Sequence, residues 1–307
     1  MWDNSMGTGV EALYLTMSNS RFRFLLRCLR FDNVHSREQR KSLDSLAAFR
    51  EIFETFVSNC KTSYKPTDYL TIIDEQLVAF RGNCTFRVYM PSKPAKYGLK
   101  IFALASTTNY YASNLEVYVR KQPNGPFNIS NSTQDLVLRL VEPISGTNRN
   151  VTLDNWFTSV PIAMKLREEK RLTMVGTLRK NKREVPPNFL PDAAKELKSS
   201  IFGFQKNCTL VSYVPKKKKA VLAISTMHDN AAIYPATGDD RKPVIITTYN
   251  NTKYGVDVLD KMCRQYDTAR NSRRWHLTLF FHVLNVGGVN GLCMITKTRT
   301  LLVGWNL

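Results

Sequence analysis

Apolar positions recur at helical spacing over the first sixty residues. NSRFRFLLRCLRFDN places Phe22, Leu25, Leu26 and Leu29 on one side of a helix, with Ser18 or Ser20 as its N-cap. LAAFREIFETFVSNCK repeats the pattern through Leu46, Phe49, Ile52, Phe53 and Phe56, and Asp44 or Ser45 is placed to cap it. From Tyr69 the period changes. LTIIDEQLVAF, TFRVYM and GLKIFALAST are three strand-like runs joined by RGNC and PSKPAKY, which carry turn residues. They predict an antiparallel meander with Asp74 inside its first strand. LEVYVR is a further strand candidate. After a loop rich in Asn, Ser, Gly and Pro, TQDLVLRLVEPI reads as a helix capped by Thr133 and ended by Pro143.

NVTLDNWFTSVPIAMKLREEK is a strand–loop–helix unit. Val151 to Leu153 form the strand, Asp154 and Asn155 close it, and Thr158 or Ser159 caps a helix with Pro161 in its first turn. LTMVGTL, residues 172–178, is the next strand. Strand, helix, strand implies a parallel pair with a right-handed crossover, so the pattern gives a mixed sheet with helices on its faces. Residues 179–245 break this rhythm. A basic, Pro-rich stretch precedes short β-like runs around Lys216 to Lys219, which reads as an inserted β-rich module. The segment from Tyr249 to Leu292 is helical by periodicity, and KTRTLLVGWNL, residues 297–307, reads as an unstructured tail.

Composition narrows the partners. The 307 residues hold 44 Lys and Arg against 25 acids, a formal net charge of +19. Such a charge attracts polyanions, with nucleic acid first and an anionic membrane second. No basic amphipathic anchor or lipidation motif supports the membrane. The apolar run from Leu277 to Ile295 is broken by His282, Asn285 and Asn290, and is expected to be a buried core helix. Six isolated cysteines make no CxxC pair, which argues against a zinc site and for a reduced, intracellular chain. The N-terminus carries no export signal pattern, so the six N-x-S/T matches, starting with Asn83, read as chance.

Three acids fit one metal site: Asp74, Asp154, and Asp257 with Asp260 a turn later. A carboxylate in the apolar run TIID is costly to bury without a cationic partner. Hard oxygen donors suit Mg²⁺ or Mn²⁺, and two such ions suit phosphodiester chemistry. Each acid also has an ordinary reading: Asp74 paired with Arg81, Asp154 in an Asx-turn, Asp257 as a helix N-terminal acid. Arg179, Lys180, Lys182 and Arg183 form one basic cluster, and Arg270, Arg273 and Arg274 form another beside Trp275. Both read either as solvated surface or as phosphate contacts with a stacking face. The arginines at 21, 23, 27 and 30 carry the same two readings. His276 and His282 read as structural.

TIIDEQLVAFRGNCTFRVYMPSKPAKYGLK, VTLDNWFTSVPIA, VGTLRKNKREVP and YNNTKYGVDVLDKMCRQY, followed by RRWHLTLFFHVLN, resemble the piggyBac transposases. The likeness runs from about Met17 to Cys293, and DNWFTS and GVDxLDxM are its specific motifs. It implies an α/β fold (α+β mixed) with an RNase H-like catalytic core, interrupted by a β-rich insertion and preceded by a helical region. The implied divisions are a helical dimerisation or DNA-binding region at 1–68, the core at 69–178, the insertion at 179–245, and core helices at 246–296. The resemblance makes Asp74, Asp154 and Asp257 the catalytic triad, with Asp260 a further metal ligand. Two Mg²⁺ or Mn²⁺ ions are the implied cofactors. It also places Arg81, Asn155, Arg179, Lys182, Arg183, Arg274 and Trp275 near DNA. The implied activity is cleavage and strand transfer of double-stranded DNA at transposon ends and TTAA targets, by a nuclear homodimer with no membrane partner. Asn83 departs from the usually basic turn. The family's acidic N-terminal segment and Cys-rich C-terminal domain find no match here, so the reading expects a truncated core. The alternative is a domesticated or degenerate protein that binds DNA without cutting it.

Overall fold

The computed structural model describes residues 2–303 except 4, 6 and 8, with side chains as far as Thr296. The helical opening comprises α1 (Glu11–Thr16), α2 (Asn19–Cys28), α3 (Arg37–Lys41) and α4 (Arg50–Ser63). Ser18 caps α2 by accepting from the Arg21 amide at 3.2 Å. The apolar stripe of α2 is used only in part: Leu26 and Leu29 lie against the core, while Leu25 remains exposed. The second helix starts later than its pattern predicts. Asp44 accepts from the Leu46 amide at 2.9 Å and pairs with Arg50, so it caps a buried turn through Leu46 and Phe49, and α4 begins after that turn.

The sheet strands are β1 (Tyr69–Ile72), β2 (Gln76–Ala79), β3 (Val88–Tyr89), β4 (Tyr97–Ser106), β5 (Ala112–Val117), β6 (Asn150–Leu153), β7 (Thr173–Thr177), β8 (Ser200–Gln205), β9 (Cys208–Lys216) and β10 (Lys219–Ser225). Ile101 of β4 pairs with both Gln76 and Val117, so β2 and β5 lie on opposite edges of β4. β1 shares the β2 edge, with Leu70 opposite Ser106. β6 lies parallel to β1 and β7 parallel to β6. Antiparallel meander and parallel pair thus meet at β1. Beyond β7 the sheet continues antiparallel through β10, β9 and β8. The β-rich insertion therefore extends the central sheet instead of folding apart from it.

Apolar residues on both faces of β4 explain why helices cover both sides. Leu99, Ile101, Ala103 and Ala105 join one core with residues of α4, α8 (Gly255–Gln265) and α9 (Trp275–Val303). Phe102 and Leu104 point the other way, into a core with α5 (Thr133–Leu140) and α6 (Val160–Glu168). Ser132 caps α5, one residue before the expected cap, and Ser159 caps α6. α7 (Val244–Thr252) lays Ile245 and Ile246 against Val175, Val211, Tyr213 and Ala223.

The Trp275–Thr296 part of α9 is long and apolar enough to cross a membrane, with a mean hydropathy of 1.5, yet half of its most apolar window is buried within the fold. Its polar residues are used inside: Asn290 bonds the amide and carbonyl of Ala112 at 2.8 and 3.1 Å, and His282 meets Gln76 at 3.2 Å. It is the expected core helix. It runs on to Val303, through the first part of the expected unstructured tail. Residues 304–307 of that tail lie outside the described residues.

Candidate active site

β1 does not continue through Asp74, as its sequence predicts. Asp74 adopts φ +62°, a left-handed conformation that Asp tolerates better than most side chains. The pairing with β4 slips by one residue across this point, a bulge that separates β1 from β2. Asp74 thus sits beyond the C-terminal end of β1, half-exposed, instead of in the middle of a strand. Its Oδ2 accepts from Lys93 Nζ at 2.5 Å, and the same ammonium donates to the Glu75 carbonyl at 3.0 Å. The partner is Lys93, not Arg81.

Ile72 of β1 lies opposite Leu153 of β6, so Asp154 leaves the end of the neighbouring parallel strand at nearly the same level. Its Oδ1 accepts from the amides of Trp156 and Phe157 at 3.0 and 3.1 Å. This is the Asx-turn, and it fixes the carboxylate while leaving the second oxygen without those bonds. Thr158 fastens the same loop by donating to the Asp154 carbonyl at 2.6 Å. A Cβ at Gly176 of β7 would come within 2.3 Å of that hydroxyl, so the glycine in VGT makes room for the threonine in DNWFTS.

α8 supplies the third group. A Cβ at Gly255 would lie 2.4 Å from Thr71 Cγ2, so glycine lets the first turn of α8 rest directly on β1 and β4. Val256, Leu259 and Cys263 face the core. Asp257 and Asp260, three apart, share another side of the helix.

Electrostatics joins these segments. Burial raises the carboxyl pKa values of Asp154, Asp257 and Asp260, and the charge of Asp74 raises each of them further. Arg264, ion-paired with Asp260, opposes that rise. Lys93 opposes it at both Asp257 and Asp260, and Lys253 does so at Asp257. Glu75 is raised by burial and held by Lys100 at 3.1 Å. Four aspartates therefore converge on one region, with the Lys93 ammonium among them. Among the described residues no three acidic, His or Cys side chains stand close enough, as placed, to hold a single ion. The donor set nonetheless fits hard divalent cations: oxygen donors only, mutually repelling, with two already bonded to cationic groups, Asp74 to Lys93 and Asp260 to Arg264.

A cleft of about 1250 Å³ opens from this cluster, lined by Lys93 and Asp260 and then by Arg81, Asn83, Arg264, Arg270 and Arg273. Arg81, Arg183, Arg270 and Arg273 are exposed, and Lys182 is half-buried. Arg179 donates to the Asn155 side chain at 3.2 Å, and its charge lowers the pKa of Asp154. Two further residues expected near DNA, Arg274 and Trp275, are partly buried and have partners within the protein. Arg274 donates to the Leu29 carbonyl at 2.6 Å and to His276 at 3.2 Å, which ties α9 to the end of α2. Trp275 is half-buried against Phe86, with centroids 5.0 Å apart, so it belongs partly to the core. The exposed tryptophan near the acids is Trp156, which the sequence pattern does not single out, nor does it single out Lys93, Gly176 or Gly255. The only signal for these four was their place inside the recurring motifs. Thr158, a candidate helix cap by sequence, instead braces the Asp154 loop while Ser159 caps the helix.

A mixed sheet in which three antiparallel strands lead into two parallel ones, with acids at the ends of the first and fourth, is an RNase H-like core. The family model described as transposase IS4 matches residues 1–292. Among solved structures, the chain is similar to the piggyBac transposase in a cryo-EM synaptic complex with hairpin DNA, at 38% identity and a TM-score of 0.84. That alignment covers 92% of this chain and 58% of the other, so the chain spans under two-thirds of that protein's length. The chain belongs to the piggyBac family of transposases.

Proposed function

We propose that this chain is the catalytic core of a DNA transposase that cuts and rejoins double-stranded DNA at transposon ends and TTAA targets. The observation that carries this reading is the convergence of Asp74, Asp154, Asp257 and Asp260 at the end of β1 and β6, beside a cleft lined with arginines. The hairpin DNA in the related complex supports DNA as the partner. In this reading Asp74, Asp154 and Asp257, with Asp260, hold two Mg²⁺ or Mn²⁺ ions. Such ions, when bound, activate the attacking oxygen and stabilise the leaving one.

The protein's own groups hold and align the DNA. Arg81, Arg270 and Arg273 take phosphates along the cleft, while Asn155, Arg179, Lys182 and Arg183 take the strand on the β7 side. Lys93, which pairs with Asp74, would be free to meet a phosphate if Asp74 held a metal ion instead. The helical region at 1–68 serves dimerisation or DNA binding, and the working location is the nucleus. A second reading, DNA binding without cutting, draws on the Lys93–Asp74 bond, which neutralises the first acid.

The experiment gives purified protein Mn²⁺ and a duplex with a TTAA-flanked transposon end. The wild type is expected to nick it and Asp154→Ala to bind without nicking. Equal binding with no nicking by either protein overturns the enzymatic reading and leaves the second.

A further inference from the structure

A second cavity, of about 280 Å³, lies beside the Asp154 loop. Tyr89, Lys100, Phe102, Tyr118, Arg139 and Trp156 are among its walls. Phe102 is its buried floor. Trp156 lies over Phe102 with the rings 10° from parallel and 6.1 Å apart, and Tyr118 meets Phe102 edge-on at 6.2 Å. At the mouth Tyr89 is 57% exposed and Trp156 38% exposed. Two large aromatics left open to water at a pocket rim are a costly arrangement for a chain that buries the adjacent Phe157.

The chemistry of the walls selects the ligand. The Lys100 ammonium already sits 4.6 Å from the Phe102 ring and 4.9 Å from Trp156, so the aromatic faces have their cation and a cationic guest is disfavoured. The opposite wall carries the Arg139–Glu116 pair, bonded at 2.8 and 2.9 Å, which offers both donors and acceptors to a polar ring edge. The volume is just under the roughly 300–1,000 Å³ of drug-sized sites, enough for one flat ring system and too little for a stretch of strand.

We infer that this cavity receives a single unstacked nucleobase of the DNA that lies at the acid cluster, stacked on Trp156. The inference rests on the DNA-processing function proposed above. It also couples the base to the acids at two points. The Trp156 amide donates to Asp154 Oδ1, and Lys100 is paired with Glu75, next to Asp74. A seated base therefore fixes the turn that holds Asp154.

The test reads binding alone. Fluorescence anisotropy in EDTA compares a paired TTAA-flanked DNA end with the same end carrying one unpaired thymine at the junction. Unpairing in advance removes the cost of extrusion. The wild type is expected to prefer the unpaired end by about tenfold, the scale of one aromatic–base stack. Trp156→Ala is expected to bring that preference to within about twofold, and Trp156→Phe, which keeps a stacking ring, to retain most of it. A wild type that binds both ends equally overturns the pocket and leaves the proposed function standing. So does a Trp156→Ala protein that keeps the full preference. Failure to bind either end overturns the proposed function itself.

Discussion

Gly255→Ala separates the position of α8 from its stability. The added Cβ would lie 2.4 Å from Thr71 Cγ2 and 2.8 Å from the Ser106 carbonyl oxygen. Carbon contacts are comfortable from about 3.5 Å, so the helix start has to retreat by about 1 Å. The strands cannot yield instead: Thr71 is fully buried, its hydroxyl donates to the Thr152 carbonyl at 3.3 Å, and the Ser106 oxygen is backbone. Overpacking of this kind costs about 1–3 kcal/mol, and the better helix propensity of Ala returns at most about 1 kcal/mol. The net effect on Tm is a drop of a few degrees. Asp257 and Asp260 ride on the displaced helix, however, and an error of about 1 Å in a catalytic group costs on the order of 100-fold in rate. Thermal melting beside Mn²⁺-dependent nicking of a TTAA-flanked end reads both quantities. The expected result is a small fall in Tm, DNA affinity near that of the wild type, and nicking reduced by about 100-fold. Adding Thr71→Ser, which removes Cγ2, should restore part of the rate. Nicking that falls only with the folded fraction would refute the claim that the Gly255 contact places the acids.

The remaining expectations concern charge. Burial and the Asp74 charge raise Asp154, Asp257 and Asp260 above the ordinary carboxyl value of 3.8, so the folded protein takes up these protons more readily than the unfolded chain. Their contribution to stability is full below the unfolded pKa and is lost as pH rises through the raised folded values, leaving the ionised cluster as a cost at neutral pH. Asp154→Asn keeps an acceptor for the Trp156 and Phe157 amides; without divalent ion it should melt above the wild type at pH 7, and it should lose most of the Tm rise that Mn²⁺ gives the wild type, both read by melting curves across pH. Lys93→Met removes the ammonium from Asp74 and should tighten Mn²⁺ binding measured by calorimetry without DNA, while unchanged affinity would show that Lys93 does not compete for the site. Arg270→Ala with Arg273→Ala should weaken DNA binding uniformly across sequences and flatten the log K against log salt slope by about 0.9 for each phosphate that the two arginines neutralise in the wild type.

Much of the fold could be read because local pattern and tertiary role agree. β4 alternates between two cores, and Asn150 to Thr177 spells strand, helix, strand with its caps in order. The break at Asp74 was not legible. TIIDEQLV contains no Gly or Pro, and the bulge arises from how β1 and β2 share one edge of β4. α2 shows the reverse case. Its periodicity is helical, but periodicity says which residues share a face and not what covers that face, and Leu25 stays open. The acids are a candidate metal set by residue type and position, but each has an ordinary explanation, and spacing alone does not join them; the family likeness does. Those ordinary explanations turn out to describe how the acids are held: Asp154 is in its Asx-turn and Asp257 is in the first turn of its helix. Lys93 had no sequence signal tying it to Asp74, because a nineteen-residue excursion through β3 separates them.

Three unrelated devices hold the acid cluster: a left-handed bulge at Asp74, an Asx-turn braced by Thr158 against Gly176 at Asp154, and the glycine contact under α8. None of them relieves the repulsion among the carboxylates; each holds its group in place against it. Three carboxyls pushed up by burial and by the Asp74 charge lower the stability of the folded chain at neutral pH, and the cores on the two faces of the sheet offset that cost. A fold under pressure only for stability would relax any one of these devices, since Gly255, Gly176 and the bulge each give up packing or backbone freedom. All three persist together at the ends of adjacent strands, beside a cleft of arginines. Under the proposed function the demand common to all three is a cation site that must meet a phosphate, which would tie the glycines of VGT and YGVD to the same chemistry as the aspartates.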